Sequence, residues 1–242
     1  MPIYSNDGNP FVAAQVPRSA RRVLDVGCGC GDTSSLLKER NPGTWIEGIT
    51  FNPAEAAKAG AVLDRVHTFD IEQELPADFN KDFDCLLLSH VLEHLREPAS
   101  AVQRLLPALV PGGTLVIAVP NILEWRTRIR LFRGDFTYAD YGILDRTHLK
   151  FFTFDSADRE LIPSKVRSGF SEVFKLGEGA VPLGPLRRLR SMAGLAGVVD
   201  RLGVAVRPNL FAQQVVIVAR KAPRAVPDPR LLPPGVNDRP DD

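Results

Sequence analysis

The sequence lacks a long apolar run. No segment reaches the roughly 20 residues of a membrane span, and the N-terminal MPIYSNDGNPFVAAQVP has no basic region followed by an apolar one. Neither integral insertion nor secretion is therefore expected. A net charge is missing too: 30 Lys and Arg against 29 Asp and Glu leave +1, which gives no global field to draw in nucleic acid, so any basic recognition must be local. Cysteine is scarce. Cys28 and Cys30 sit too close together to staple a loop, and with Cys85 the number is odd, which points to a reducing compartment and a cytoplasmic location. Internal repeats are absent as well.

What is present is enough for one full core: 242 residues, 44% of them hydrophobic, predict one domain with appended tails. From Arg22 onward short apolar runs alternate with longer amphipathic ones. RRVLDV, TWIEGIT, RVHTFD, DFDCLLL and GGTLVIAV read as strands separated by helices, which predicts a parallel sheet covered on both faces, a doubly wound α/β fold. Residues 121–153 form an irregular insert, followed by a helix around Ser156–Ser168, a strand SEVFKLGEG, a Leu- and Ala-rich helix near Leu186–Leu202 and a final strand LFAQQVVIVARK. We therefore expect an N-terminal arm at 1–20, the domain at 21–221, and a disordered Pro-rich tail at 222–242.

VLDVGCGCGD places Gly27, Gly29 and Gly31 between the first strand and a helix, where backbone must turn tightly and approach a ligand closely. A dinucleotide loop would read G-x-G-x-x-G; here the third glycine comes one residue early. Asp25 just before the loop would repel a pyrophosphate but suits a ligand carrying an ammonium group, which favours S-adenosylmethionine over NAD. At these residues the chain resembles the class I S-adenosylmethionine-dependent methyltransferases, from about Val23 to Arg220. VLDVGCGCG, IEGITFNP, HTFDIE, FDCLLLSHVLEHL and LVPGGTLVIAVPN occur in that family's order. The resemblance implies a Rossmann-like, seven-stranded, mostly parallel sheet with one antiparallel strand near the C-terminus. It also assigns the cofactor contacts: Asp25, Gly27, Cys28, Gly29 and Gly31 to the methionine part, Thr50, Phe51 and Asn52 to the ribose, Asp70, Ile71 and Ser89 to the adenine side. The second strand departs from the family by ending in Thr50 rather than an acid. Cys28 and Cys30 read as small loop fillers, since a C-x-C pair with no second pair makes a poor zinc site.

LLLSHVLEHL contains His90, Glu93 and His94 in an H-x-x-E-H spacing. On a helix starting near His90 these side chains converge, which permits a metal without demanding one. Zinc peptidases of the inverted-zincin type share the spacing. A zinc hydrolase would need a third ligand from Glu160, Glu172 or Glu178 and leaves the glycine loop without a purpose. Within the methyltransferase resemblance, His148 falls in HLKFFT, similar to a His-Leu-Arg-Phe-Phe-Thr segment of the family, and 121–153 becomes an insert shaping the acceptor pocket. Ubiquinone-pathway O-methyltransferases and small-RNA 3'-end methyltransferases carry Glu-x-x-Glu-His at this helix and bind a divalent ion. The matching set here is His90, Glu93, His94 and His148, whose imidazoles favour zinc, manganese or iron over magnesium. The competing reading makes Ser89 a helix cap, bonds Glu93 and His94 to backbone, and uses His148 to order its loop.

The expected activity is methyl transfer from S-adenosylmethionine to an O or N atom of a small molecule or glycan, with His148 removing a proton and His90, Glu93 and His94 lining the acceptor mouth. Metal-dependent methylation of RNA or a quinone, and a noncatalytic cofactor-binding partner subunit, are the rival readings. Arg126, Arg130 and Arg133 form one basic face if their segment is helical, suited to a phosphate or carboxylate. Arg187, Arg188 and Arg190 precede an apolar stretch that can meet a membrane surface or a second copy in a homodimer.

Overall fold

The computed structural model describes residues 7–73, 75, 76, 79, 82–184 and 193–223. Seven strands form one sheet: β1 Arg22–Val26, β2 Trp45–Thr50, β3 Arg65–Thr68, β4 Phe83–Ser89, β5 Leu109–Pro120, β6 Phe170–Gly179 and β7 Ala212–Lys221. Their order is β3-β2-β1-β4-β5-β7-β6. The first five pair in parallel, and β7 runs antiparallel to both β5 and β6.

Strand residues alternate between two apolar layers, as the pleat requires. Leu24, Val26, Leu86, Leu88 and Ile117 face one layer with Leu92, Leu105 and Phe152. Val23, Cys85, Leu87, Val116 and Val216 face the other with Leu37. Burial on both faces accounts for strands that read as continuous apolar runs. The helices are α1 Pro10–Ala13, α2 Asp32–Arg40, α3 Pro53–Ala59, α4 Pro98–Leu105, α5 Trp125–Phe132, α6 Ala157–Leu161, α7 Ser164–Arg167, α8 Ala193–Val206 and α9 Pro208–Phe211. The arm is part of the fold from Asn9 on: Val12, Ala13 and Val16 are buried in the second layer, and Asn9 caps α1.

Three local expectations change. No helix starts at His90; Ser89 ends β4, His90 adopts φ 54, and one 3-10 turn covers Leu92–His94. A helix there would run straight into Pro98, so the chain turns first and restarts with that proline at N1. The helix expected over Ser156–Ser168 breaks into α6 and α7 at Pro163. Arg126 and Arg130 do lie on a helix, but Arg133 is its C-cap. The arginine group at 187–190 and the tail from 224 lie outside the described residues. Among the described residues no helix is long and apolar enough to cross a membrane.

Candidate cofactor and acceptor site

The sheet order reverses direction between β1 and β4, so the crevice outside their carboxyl ends is where an open α/β sheet binds ligands. Gly27, Gly29 and Gly31 turn there with φ of 73, 53 and 86. A Cβ on Gly27 would lie 2.5 Å from Val91 Cγ2, and one on Gly31 2.7 Å from Leu63 Cδ1. Only glycine fits this backbone. The same contact shows that Val91, inside the His90–His94 turn, rests directly on the glycine loop. The two motifs thus lie against each other.

Beneath the loop, Asp25 is buried and its Oδ2 accepts the Ser34 hydroxyl at 2.6 Å. Burial pushes its pKa up to about 6, with the Ser34 bond pulling the other way. No Lys, Arg or His pairs with it among the described residues. A buried carboxylate facing a glycine cradle fits a ligand that brings its own cation, as the ammonium of S-adenosylmethionine would.

At the end of β2, the Thr50 hydroxyl donates to Glu55 Oε2 at 3.0 Å and accepts the Asn52 N–H at 3.3 Å. Asn52 caps α3 through the N–H of Ala54 at 3.0 Å. Two of the three expected ribose residues are therefore engaged with the protein, whereas Phe51 is exposed. The carboxylate missing from the strand end arrives from α3 as the buried Glu55, five residues later. Sequence reading missed it because a helical glutamate after Asn-Pro looks like first-turn charge. Asp70 is exposed after β3 and takes the Glu72 N–H at 2.8 Å; Ile71 is buried, and Ser89 ends β4.

On the other side, Glu93 is buried, and its carbonyl accepts the N–H groups of Leu149 and Lys150 at 2.8 and 3.0 Å. This clamp brings the end of the insert to the turn after β4. Asp145 shapes the approach, accepting the N–H and hydroxyl of Thr147 at 2.8 and 2.7 Å. The ionisable atoms of Glu93, His94 and His148 that could hold a metal all lie within 4.8 Å of one another. His148 Nδ1 donates to the Ile143 carbonyl at 3.1 Å, leaving Nε2 with its lone pair 4.0 Å from Glu93 Oε1. Burial holds the His148 pKa below the usual value, the Glu93 charge opposing it only in part. The His94 ring meets that of His148 edge-on, 4.7 Å between centroids. Its Nδ1 faces the Thr147 hydroxyl at 2.9 Å and carbonyl at 3.3 Å. Since that hydroxyl gives its own proton to Asp145, His94 Nδ1 is the donor and its Nε2 is the available nitrogen. Glu93 Oε2 is buried with no hydrogen-bond partner among the described residues.

His90 joins this cluster through Glu93 but is not one of its possible metal-holding trio. Its Nδ1 meets Glu93 Oε1 at 3.1 Å and its Nε2 meets Gln214 Oε1 at 2.9 Å. Gln214 Nε2 donates to Glu178, and Asn9 Nδ2 donates to Gln214 Oε1 at 2.9 Å. Burial alone would lower the His90 pKa, but the bonds to Glu93 and Gln214 outweigh it and raise it. With both nitrogens facing oxygens of Glu93 and Gln214, His90 orients Glu93 and turns neither nitrogen toward a metal or an acceptor. The basic face is largely neutralised: Arg126 pairs with Glu124 at 2.7 Å and Arg130 with Asp135 at 2.8 Å.

A glycine cradle over a buried acid, beside a carboxylate and histidine cluster, thus sits at the β1/β4 switch point of a domain of the doubly wound α/β class. A family model described as a methyltransferase domain matches residues 8–161, and the chain belongs to that family. Curated relatives include a trans-aconitate 2-methyltransferase of Methylobacterium nodulans, 34% identical over 46% of this chain and 43% of its own length. A ubiquinone biosynthesis O-methyltransferase of Xylella fastidiosa is 30% identical over 46% of each chain. The chain thus spans less than half the length of these relatives. Among solved structures, a SAM-dependent methyltransferase from Archaeoglobus fulgidus matches with a TM-score of 0.59 at 22% identity, covering 88% of this chain and 95% of its own. The plantazolicin methyltransferase BpumL in complex with SAH matches with a TM-score of 0.53 at 13% identity, covering 88% and 80%. Both likenesses concern the fold.

Proposed function

We propose that this chain binds S-adenosylmethionine at the β1–β2 side of the crevice and moves its methyl group to an oxygen or nitrogen atom of a small-molecule or glycan acceptor held on the β4–β5 side. The observation that carries this reading is Val91 seated on Gly27, which fixes the Glu93 turn against the cofactor cradle. The cofactor supplies an electrophilic methyl on a sulfonium; the protein has to align the acceptor, exclude water and take up its proton. Asp25 meets the ammonium, and Glu55 with Thr50 receives the ribose hydroxyls. Phe51, Asp70, Ile71 and Ser89 border the adenine.

His148 Nε2 is the proton acceptor. Its tautomer is set by the Ile143 carbonyl, and its lowered pKa keeps it neutral near neutral pH. Glu93 stabilises the imidazolium formed when the proton arrives. An oxygen acceptor agrees with the name of one relative, the ubiquinone O-methyltransferase. The chain's balanced charge argues against RNA, and we place the activity in the cytoplasm.

A second reading of the same cluster has a specific observation behind it. Glu93 Oε2 is buried and unpartnered, and both histidines hold their Nδ1 protons on protein oxygens while keeping Nε2 available. That is the outer support a metal-ligating histidine needs. Glu93, His94 and His148 would hold a divalent ion such as zinc or manganese, which would lower the pKa of a bound acceptor hydroxyl. Metal analysis of purified protein and turnover with labelled methyl donor across an acceptor panel separate the two readings. Turnover abolished by a chelator and restored by one metal selects the second; turnover indifferent to chelator selects the first. Absence of turnover in every acceptor class, with cofactor bound, would reduce the chain to a cofactor-binding partner subunit.

A further inference from the structure

Helix α8 has two unlike apolar faces. Inward, Ala196 and Val204 are buried, and Gly203 lets the helix sit against Val181 and Phe211. Outward, Leu195, Val198, Leu202 and Val206 are 53%, 41%, 61% and 72% exposed. Steps of three, four and four residues put them on one stripe of a 3.6-residue helix.

Charge decides what covers the stripe. Arg201 and Arg207 beside it are exposed. Asp200, the one acid of the helix, turns to the protein and accepts the Val181 N–H at 2.9 Å. The sequence just ahead contributes Arg187, Arg188 and Arg190 and no acid. A similar combination closes α5, where Phe132 is 95% exposed near Arg128 and Arg133, Arg130 being paired with Asp135. The two features share a rim: Arg128 Nη2 donates to the Asn209 carbonyl of α9, directly after α8, at 3.3 Å. A second copy packed stripe to stripe would set one basic rim against another, since the one acid of α8 is turned to its own protein. An anionic bilayer surface instead pairs them with phosphates while its headgroup boundary takes up the apolar side chains. We propose that α8, together with Phe132, docks this protein on an anionic phospholipid surface, with the acceptor-side rim toward the bilayer.

The docking is independent of the acceptor chemistry, so its test does not need turnover. Full-length protein is sedimented with vesicles of phosphatidylcholine alone and of phosphatidylcholine mixed with phosphatidylglycerol, at low and high salt. Binding is expected only to the anionic vesicles and should weaken with salt. Neutralising Arg201 and Arg207 by glutamine should each lower the partition by about fivefold, and Leu202→Glu and Phe132→Ser should lower it further. S-adenosylmethionine affinity and melting temperature serve as folding controls; Leu202→Ser replaces Leu202→Glu if the latter melts early. Equal binding to neutral and anionic vesicles, or no binding to either, overturns the proposal. So does a dimer in sedimentation velocity that Leu202→Glu dissociates, because the stripe is then covered by a second copy.

Discussion

Replacing Asp25 by Asn should make the cofactor-free protein more stable and the cofactor-bound protein less so. The rise of the Asp25 pKa from 3.8 to about 6 means that ionising this carboxylate in the apo fold costs about 3 kcal/mol relative to the unfolded chain. The sign follows from the direction of the shift. Below the unfolded value both states are protonated and no penalty exists; it grows as pH rises through the window up to about 6 and stays constant above it. Asparagine keeps an oxygen for the Ser34 hydroxyl and never ionises. Urea denaturation without cofactor should therefore show Asp25→Asn stabilised by about 3 kcal/mol near pH 7.5 and by about half of that near pH 5. Saturating S-adenosylmethionine should reverse the order, because wild type gains a buried ion pair that the variant cannot make. An Asp25→Asn protein that is less stable than wild type in the apo state at neutral pH, with the same slope, would refute the claim that Asp25 is an unpaired charge awaiting a cation.

His148→Ala should reduce turnover by about a hundredfold or more while leaving cofactor affinity unchanged. The wild-type rate should rise with pH through a midpoint below the ordinary histidine value, since burial lowers the His148 pKa, and that acid limb should vanish in the variant's pH–rate profile. Glu55→Ala should weaken S-adenosylmethionine binding by about tenfold, and adenine or methionine alone should bind both proteins equally, as titration calorimetry would show. Gly27→Ala, which forces a Cβ within 2.5 Å of Val91 at φ 73, should lower the melting temperature and abolish cofactor binding together. His90→Ala, which removes the group orienting Glu93, should spare cofactor affinity but lower turnover, and His90→Gln should recover more of it than alanine.

The doubly wound sheet was legible because its evidence is local and repeated: strands such as FDCLLLS are buried on both faces and show it as uninterrupted apolar runs. The glycine loop was legible for the same reason, since three left-handed turns leave three glycines. Cluster geometry was less so. Spacing alone grouped His90 with Glu93 and His94 on a helix, but whether those residues wind into a helix depends on Pro98 and on the antiparallel β7, whose Gln214 takes the His90 ring. His148 came from the resemblance; what brings it to Glu93, the clamp of Leu149 and Lys150 on the Glu93 carbonyl, is a backbone contact between segments more than 50 residues apart, which leaves no residue signature. Glu55 was hidden because its partner Thr50 looked like a defect in the second strand rather than half of a pair.

The central claim is a cofactor cradle and an acceptor cluster that share a wall but divide the work. Titration calorimetry of S-adenosylhomocysteine into wild type, Asp25→Asn and His148→Ala tests it most directly. The account predicts one site per chain in wild type, the same affinity in His148→Ala, and a loss of about two-hundredfold or more in Asp25→Asn. No heat and no competition with S-adenosylmethionine in the wild-type protein, or equal loss in both variants, would contradict it.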